Sequence, residues 1–364
     1  MKMKRIIYVG MALCLLAGVM SVNAAAPNGY IANQPWTTAI VDSLKDGDVG
    51  SHLSIAYYEK GRAYVSYYDA TNQDLKLAHQ VAPGTGNCGP KVDWKCEVID
   101  SDGDVGKYNS IDVRTDYYKP PIPGPTPSDD SSRISLDKPY ANIGISYFDE
   151  SNDALKYAEY ACGDSAPCGW RIETVQKDDT SILPVFQEDI GTATSFSFAD
   201  NGTPIIAYQY KYNVLENLES GVRRAFYKGG GTGNCGTGDN WYCENIDYRG
   251  GTTDYGRYIS QDRGMIAYYD SLGKDLKYAV SSGSTMKNTC IGNMYWDCKV
   301  VDDEGDVGKF VSLVNNGEDP MQLAYYDATN GKVKYAQKVA SDANCGDPME
   351  FACFNVDTVG EPIV

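Results

Sequence analysis

Short apolar runs alternate with polar turns along this chain, and no long segment carries a 3.6-residue apolar period. The clearest unit is Leu323-Ala-Tyr-Tyr-Asp-Ala-Thr-Asn-Gly-Lys-Val-Lys-Tyr-Ala336, versions of which occur five times. Tyr, Val and Ile enrichment, lengths of four to seven and Gly/Asn/Asp punctuation predict strands. Four strands are expected per repeat. The first covers 52–57, 108–113, 194–198, 257–260 and 310–314. The second, ending Tyr-Tyr-Asp, covers 64–69, 143–149, 204–210, 265–270 and 321–327. The third covers 75–78, 155–158, 222–227, 276–279 and 333–336. The fourth covers 94–100, 170–175, 241–247, 296–302 and 351–357.

Four short antiparallel strands in a unit of about 55 residues, repeated, is the pattern of a β-propeller. The expected fold is all-β: one domain, residues 25–364, of five four-stranded blades at 51–100, 107–176, 192–247, 257–302 and 309–357. A six-bladed ring with one degenerate blade, or a pair of β-sandwiches, is the alternative. Residues 36–42 repeat the fourth strand once more and are expected as an extra strand closing the ring. The Pro-rich stretch 119–132 reads as a solvated loop inside blade two. Blade three carries an insertion at 177–187 and a longer turn at 211–221, with Gln209 set against Arg223 where other blades have Asp against Lys.

Lys2, Lys4 and Arg5 precede an apolar run and the small-residue site Val22-Asn23-Ala24, which reads as a signal peptide over 1–24 cleaved near Ala24. No later run approaches the roughly 20 apolar residues of a membrane span. The expected protein is secreted, or held in the periplasm or at the cell surface, and monomeric. With 32 basic against 49 acidic residues the net charge is −17, which argues against nucleic acid as a partner.

Cys14 lies in the leader. The other ten cysteines form close pairs: Cys88/Cys96, Cys162/Cys168, Cys235/Cys243, Cys290/Cys298 and Cys345/Cys353. In an exported chain these read as one disulfide per blade. Metal thiolates fit less well, because zinc sites favour closer Cys pairs with further Cys or His nearby, and the chain has 2 His.

Two acidic sets are candidates for chemistry. Asp48, Asp104, Asp189, Asp254 and Asp306 each open an Asp-x-Gly turn before a first strand. Five carboxylates converging on a channel mouth would suit Ca²⁺ as the one expected cofactor. The competing reading has each Asp capping its own turn while Gly supplies a positive φ. Asp74, Asp153, Asp275 and Asn330 lie in or beside the turns after Tyr-Tyr-Asp and make that face a candidate ligand surface. Tyr-Tyr-Asp itself has a structural explanation: Lys76 falls opposite Tyr67 and reaches Asp69 diagonally, and Lys156/Asp149, Lys277/Asp270 and Lys334/Asp327 repeat the relation. No Gly-x-Ser-x-Gly elbow, HExxH or phosphate loop is present.

A Trp opens the fourth strand at Trp94, Trp170, Trp241 and Trp296. With the Tyr-Tyr-Asp repeats, this texture over residues 36–357 resembles secreted bacterial Tyr-Tyr-Asp propellers and is loosely similar to sialidase-like, Asp-box propellers. The chain departs from that box: Ser-x-Asp-x-Gly-x-Thr-Trp is absent, a cysteine pair occupies the turn, and no arginine triad can be assigned. The resemblance implies the fold and carries no sialidase activity over. The expected function is a binding or scaffold module recognising a glycan or an extracellular protein through the acidic turn face, with Ca²⁺ assisting. The alternative is a glycoside hydrolase or lyase using a carboxylate pair near the channel mouth.

Overall fold

The structure, a computed structural model, describes residues 38–43, 47–58, 62–114, 142–161, 168–177, 186–214, 217–252, 254–283, 289–315, 317 and 320–358. The expected leader and the Pro-rich stretch 119–132 lie outside these residues. Among the described residues no helix is long and apolar enough to cross a membrane.

The described residues form five four-stranded antiparallel sheets, each with its strands in chain order. Sheet one is β1 (Val49–Tyr58), β2 (Arg62–Asp69), β3 (Asp74–Gln80) and β4 (Trp94–Asp100). Sheet two is β5 (Val105–Arg114), β6 (Asn142–Asp149), β7 (Ala154–Ala161) and β8 (Gly169–Lys177). Sheet three is β9 (Phe186–Phe198), β10 (Pro204–Val214), β11 (Asn217–Tyr227) and β12 (Trp241–Gly250). Sheet four is β13 (Arg257–Asp262), β14 (Met265–Asp270), β15 (Asp275–Ser281) and β16 (Trp296–Asp302). Sheet five is β17 (Val307–Val314), β18 (Gln322–Asp327), β19 (Lys332–Lys338) and β20 (Phe351–Thr358).

Each sheet buries its faces against its neighbours, so the core is divided into layers between sheets. Leu75, Leu77 and Ile99 of sheet one pack with Val105, Ile145 and Tyr147 of sheet two. Similar clusters join sheets two and three, three and four, and four and five. The first strands pack in series, β1 on β5, β5 on β9, β9 on β13 and β13 on β17. A serine marks each contact: Ser54, Ser110, Ser195 and Ser260 accept the backbone N–H of Ile111, Phe196, Gln261 and Leu313 at 2.9–3.2 Å. Among the described residues no comparable packing joins β17 to β1. The five sheets are therefore an ordered, propeller-like series.

Two glycines show why the Asp-x-Gly turn recurs. Gly106 and Gly308 sit at φ 107° and 105°, and a Cβ on either would stand 2.8 Å from the Cα of Leu75 or Leu276 in the preceding sheet. Only glycine combines that conformation with that approach.

Several expectations change. Of the closing strand 36–42, residues 38–42 are described; they are irregular and lie against sheet one. Asp189-Ile-Gly191 is no turn but part of β9, with Asp189 opposite Lys211. The long turn at 211–221 is mostly strand, because β10 and β11 pair as far as Val214 and Asn217. Arg223 faces Tyr208, not Gln209, and Tyr210 takes the place of the repeat Asp.

Disulfides Cys88–Cys96, Cys235–Cys243, Cys290–Cys298 and Cys345–Cys353 are present, and they fit an oxidising compartment. Cys168 is also disulfide-bonded, while Cys162 lies outside the described residues.

Candidate functional site

Most of the repeated polar residues are spent on joining sheets. Tyr67, Tyr147, Tyr268 and Tyr325 lie opposite Lys76, Lys156, Lys277 and Lys334, as the hairpin register predicts. The lysines stand 3.6–3.8 Å from Asp69, Asp149 and Asp270 of their own sheets. Their closer partner is an Asp at or near the end of the preceding sheet's fourth strand. Lys156 lies 2.6 Å from Asp100, Lys277 3.2 Å from Asp247 and Lys334 2.5 Å from Asp302. Tyr147, Tyr268 and Tyr325 donate to the same carboxylates at 2.5–2.7 Å. In sheet one that carboxylate comes from Asp42, 2.6 Å from Lys76 and 2.7 Å from the Tyr67 hydroxyl. Burial alone would raise the Asp100 carboxyl; the Lys156 ammonium and Tyr147 hydroxyl outweigh it and hold Asp100 below the ordinary carboxylate range. At the second junction Tyr208 donates to Gln176 instead.

The Asp of Tyr-Tyr-Asp is a turn cap. Asp69, Asp149, Asp270 and Asp327 are buried and accept backbone N–H groups two or three residues on at 2.9–3.1 Å, an Asx-turn. Of the candidate ligand residues, Asn330 donates its amide to Asp327 at 2.8 Å. Asp153 occupies a turn position at φ 49°. Asp74 and Asp275 begin β3 and β15, where burial and the neighbouring Asp69 or Asp270 raise their carboxyls.

Nor do the five Asp of the metal set gather. Asp104 is 2.8 Å from Lys107 and accepts from Tyr68; Asp306 is 2.7 Å from Lys309 and accepts from Tyr269. Asp254 is 3.1 Å from Arg257, Asp48 is exposed, and Asp189 lies within β9. Among the described residues no three His, Cys, Asp or Glu side chains are grouped to hold a metal ion.

The residues left open lie two places beyond the turn glycines. His52, Tyr108, Tyr258 and Phe310 occupy the same position on β1, β5, β13 and β17, at φ 49°, 52°, 55° and 54°. Each sits where the pairing with the second strand shifts register, a β-bulge. Bulky side chains rarely adopt positive φ, and holding one there costs of order 1–3 kcal/mol. The neighbouring sheet secures the bulge: Asn109 donates to the His52 carbonyl, and Thr194 donates to that of Tyr108 at 2.7 Å.

The rings form two pairs, His52–Tyr108 and Tyr258–Phe310, each with centroids 4.5 Å apart. His52 and Phe310 are exposed and the two tyrosines half-buried. Sheet three supplies no ring between them: Ala193 holds that position on β9. Burial and the Lys107 charge push the His52 imidazole below its ordinary value, so it is neutral at pH 7. The adjoining Lys107–Asp104, Arg257–Asp254 and Lys309–Asp306 pairs leave a surface of rings edged by neutralised charges.

In the sequence these rings read as ordinary strand residues just after the turn glycine. The signal was the next two residues, in Gly50-Ser-His52, Gly106-Lys-Tyr108, Gly256-Arg-Tyr258 and Gly308-Lys-Phe310.

No protein-family model matches the chain, and no curated protein matches it. Among solved structures it is similar to the crystal structure of a polysaccharide lyase, at 12% identity and a TM-score of 0.34, over 83% of this chain and 57% of that one. The chain thus spans little more than half the length of that protein, and a likeness this weak carries no inference about activity.

Proposed function

We propose that the protein is an extracellular carbohydrate-binding module whose inner strands present two aromatic platforms to a sugar chain. The observation that carries this is the row of four ring residues at one bulge position, each at positive φ. Strain repeated at one position on four strands is what a surface shaped for a ligand needs, since packing alone would be met by an ordinary strand residue. Pyranose rings present C–H faces that stack on aromatic rings, and the Lys–Asp and Arg–Asp pairs alongside offer donors and acceptors to hydroxyls. The gap at sheet three separates the platforms and suits an oligosaccharide over a single sugar. The ligand surface moves from the acidic turns, whose capping carboxylates are bonded internally, to the bulge row. Hydrolysis or lysis by a carboxylate pair has no observation in its favour, because Asp104, Asp254 and Asp306 each hold a cation.

A glycan array followed by affinity electrophoresis tests this. Tyr108→Ala and Phe310→Ala should each weaken binding about tenfold, the loss of about 1.4 kcal/mol, without changing the unfolding midpoint by more than a few degrees. Binding indifferent to both substitutions would refute it.

A further inference from the structure

The fourth, outer strands of the first four sheets carry, at or near their ends, an apolar residue followed by Asp, or by Gln in sheet two. Ile99, Val175, Ile246 and Val301 are those apolar residues, and all are buried beneath the next sheet. The next sheet's cysteine loop lies on them: the Cys243 and Cys353 sulfurs stand 3.8 Å from the carbonyls of Val175 and Val301. Residues 40–42 repeat the device without being a strand. The Val41 carbonyl meets Cys96 at 3.9 Å, and Asp42 holds Tyr67 and Lys76. This segment thus fills the socket of sheet one in the manner of a preceding sheet's outer strand.

Sheet five has the matching end, and among the described residues nothing lies on it. Val356 occupies the position of Val301 and is 61% exposed; Phe354, two residues earlier, is 54% exposed. Phe354 stands where sheets one to four carry Glu97, Glu173, Glu244 and Lys299, so this edge is apolar where the internal ones are charged. Ser312, fifth in the series of junction serines, accepts no hydrogen bond among the described residues. Nor does the Tyr326 hydroxyl find a partner there, although its equivalents Tyr68 and Tyr269 bond Asp104 and Asp306. Asp48, the corresponding acceptor on sheet one, is exposed.

We infer that the outer edge of sheet five is a docking surface for sheet one of a second copy of this chain, whose residues 40–42 give way to the end of β20. Four internal junctions define what covers such an edge: a sheet bearing the Tyr–Lys pair and the cysteine loop. Sheet one alone has its socket filled by something other than a sheet. Among the described residues the chain's own sheet one makes no packing on sheet five comparable to the internal junctions, and bringing the two together would reshape four close-packed junctions. Residues 38–43 pair with no strand, so the exchange breaks no ladder hydrogen bonds. The contact is heterologous and joins copies head to tail.

Sedimentation velocity on the full chain tests this. Wild-type protein should associate into species that lengthen with concentration. Asp42→Ala removes the carboxylate that anchors residues 40–42 on Tyr67 and Lys76 and should tighten association on the order of tenfold, by weakening the competing segment. Val356→Asp, at an exposed position that leaves folding intact, should abolish it. Protein that stays monomeric in both wild-type and Asp42→Ala forms overturns the inference, as does association unchanged by Val356→Asp. A monomer whose Ile55 amide is protected from exchange, and loses that protection in Val356→Asp, also overturns it: the edge is then covered by its own sheet one.

Discussion

Replacing Asp247 by Ala removes the centre of the junction between sheets three and four. Asp247 is fully buried. Its carboxylate accepts the hydroxyls of Tyr255 at 2.5 Å and Tyr268 at 2.7 Å, the Lys277 ammonium at 3.2 Å and the Ile291 N–H at 3.0 Å. Without it, Lys277 keeps the Tyr255 hydroxyl at 2.9 Å and Asp270 at 3.8 Å, too little to compensate a buried charge. Removing one partner of such a pair costs about 3–5 kcal/mol. Asp254→Ala, which breaks an exposed pair with Arg257, should cost below about 0.5 kcal/mol. Arg249, 3.2 Å from the same carboxylate, is also left without it but is the more exposed of the two cations; adding Lys277→Met to Asp247→Ala removes the more buried stranded charge, so the double variant should be more stable than Asp247→Ala, with a coupling of about 2 kcal/mol. Urea unfolding followed by tyrosine and tryptophan fluorescence reads wild type and these three variants, with Lys277→Met alone as the fifth protein that closes the cycle. If Asp247→Ala unfolds within about 0.5 kcal/mol of wild type, the buried carboxylate is not what joins the sheets.

Two further outcomes follow from the geometry. At Phe310 the glycine variant should be more stable than the alanine variant by about 1 kcal/mol, since both lose the ring and only glycine relieves the positive φ; the usual strand order, alanine above glycine, would show that the bulge is not strained in solution. Acid should destabilise the protein in two windows. Burial, with Lys95 and Arg62 adding to it, holds buried His79 down from 6.5 to about 4. The unfolded chain therefore takes up that proton first, and about 3 kcal/mol of stability is lost as pH falls from 6.5 to 4. The junction carboxylates have lowered values, so their contribution is kept above the ordinary carboxylate range and lost below about pH 4. His79→Phe should flatten the upper window alone in a pH series of unfolding midpoints.

The strands and their grouping were legible because both are local. Tyr-Tyr-Asp, the four-residue turn and the Lys opposite the first Tyr lie within ten residues, and the period of two fixes which side chains share a face. The partner of that Lys was not legible. Asp100 meets Lys156, and Asp302 meets Lys334, across a boundary between repeats, where register says nothing. The Asp near the end of the fourth strand in four of the five repeats was visible as a repeated letter, but only the packing of one sheet on the next gives it a task. The bulge rings were hidden for a different reason. A lone aromatic two residues after a glycine reads as an ordinary strand residue until its φ is known. Blade three misled through alignment: shifting Tyr208 by one place made Gln209 the apparent substitute for Asp, whereas its amide spans Thr192 and the Tyr255 carbonyl.

The second junction differs from the others in a way that bears on mechanical behaviour. Gln176 replaces the carboxylate there, and Arg223, in the lysine's place, turns back to Glu188 of its own sheet at 2.6 Å. Every other junction is crossed by a buried ion pair; this one has none among the described residues and is crossed by the Trp241 indole on Glu173 at 3.1 Å and by single charged groups on backbone, Asp112 accepting from Phe198 at 2.9 Å and Arg114 donating to the Ala199 and Asp200 carbonyls at 3.2 and 3.0 Å. In a series where each sheet grips only its neighbours, load is borne by the weakest grip. Under tension the protein would part between β8 and β9, into a two-sheet piece and a three-sheet piece, each keeping one complete pair of rings.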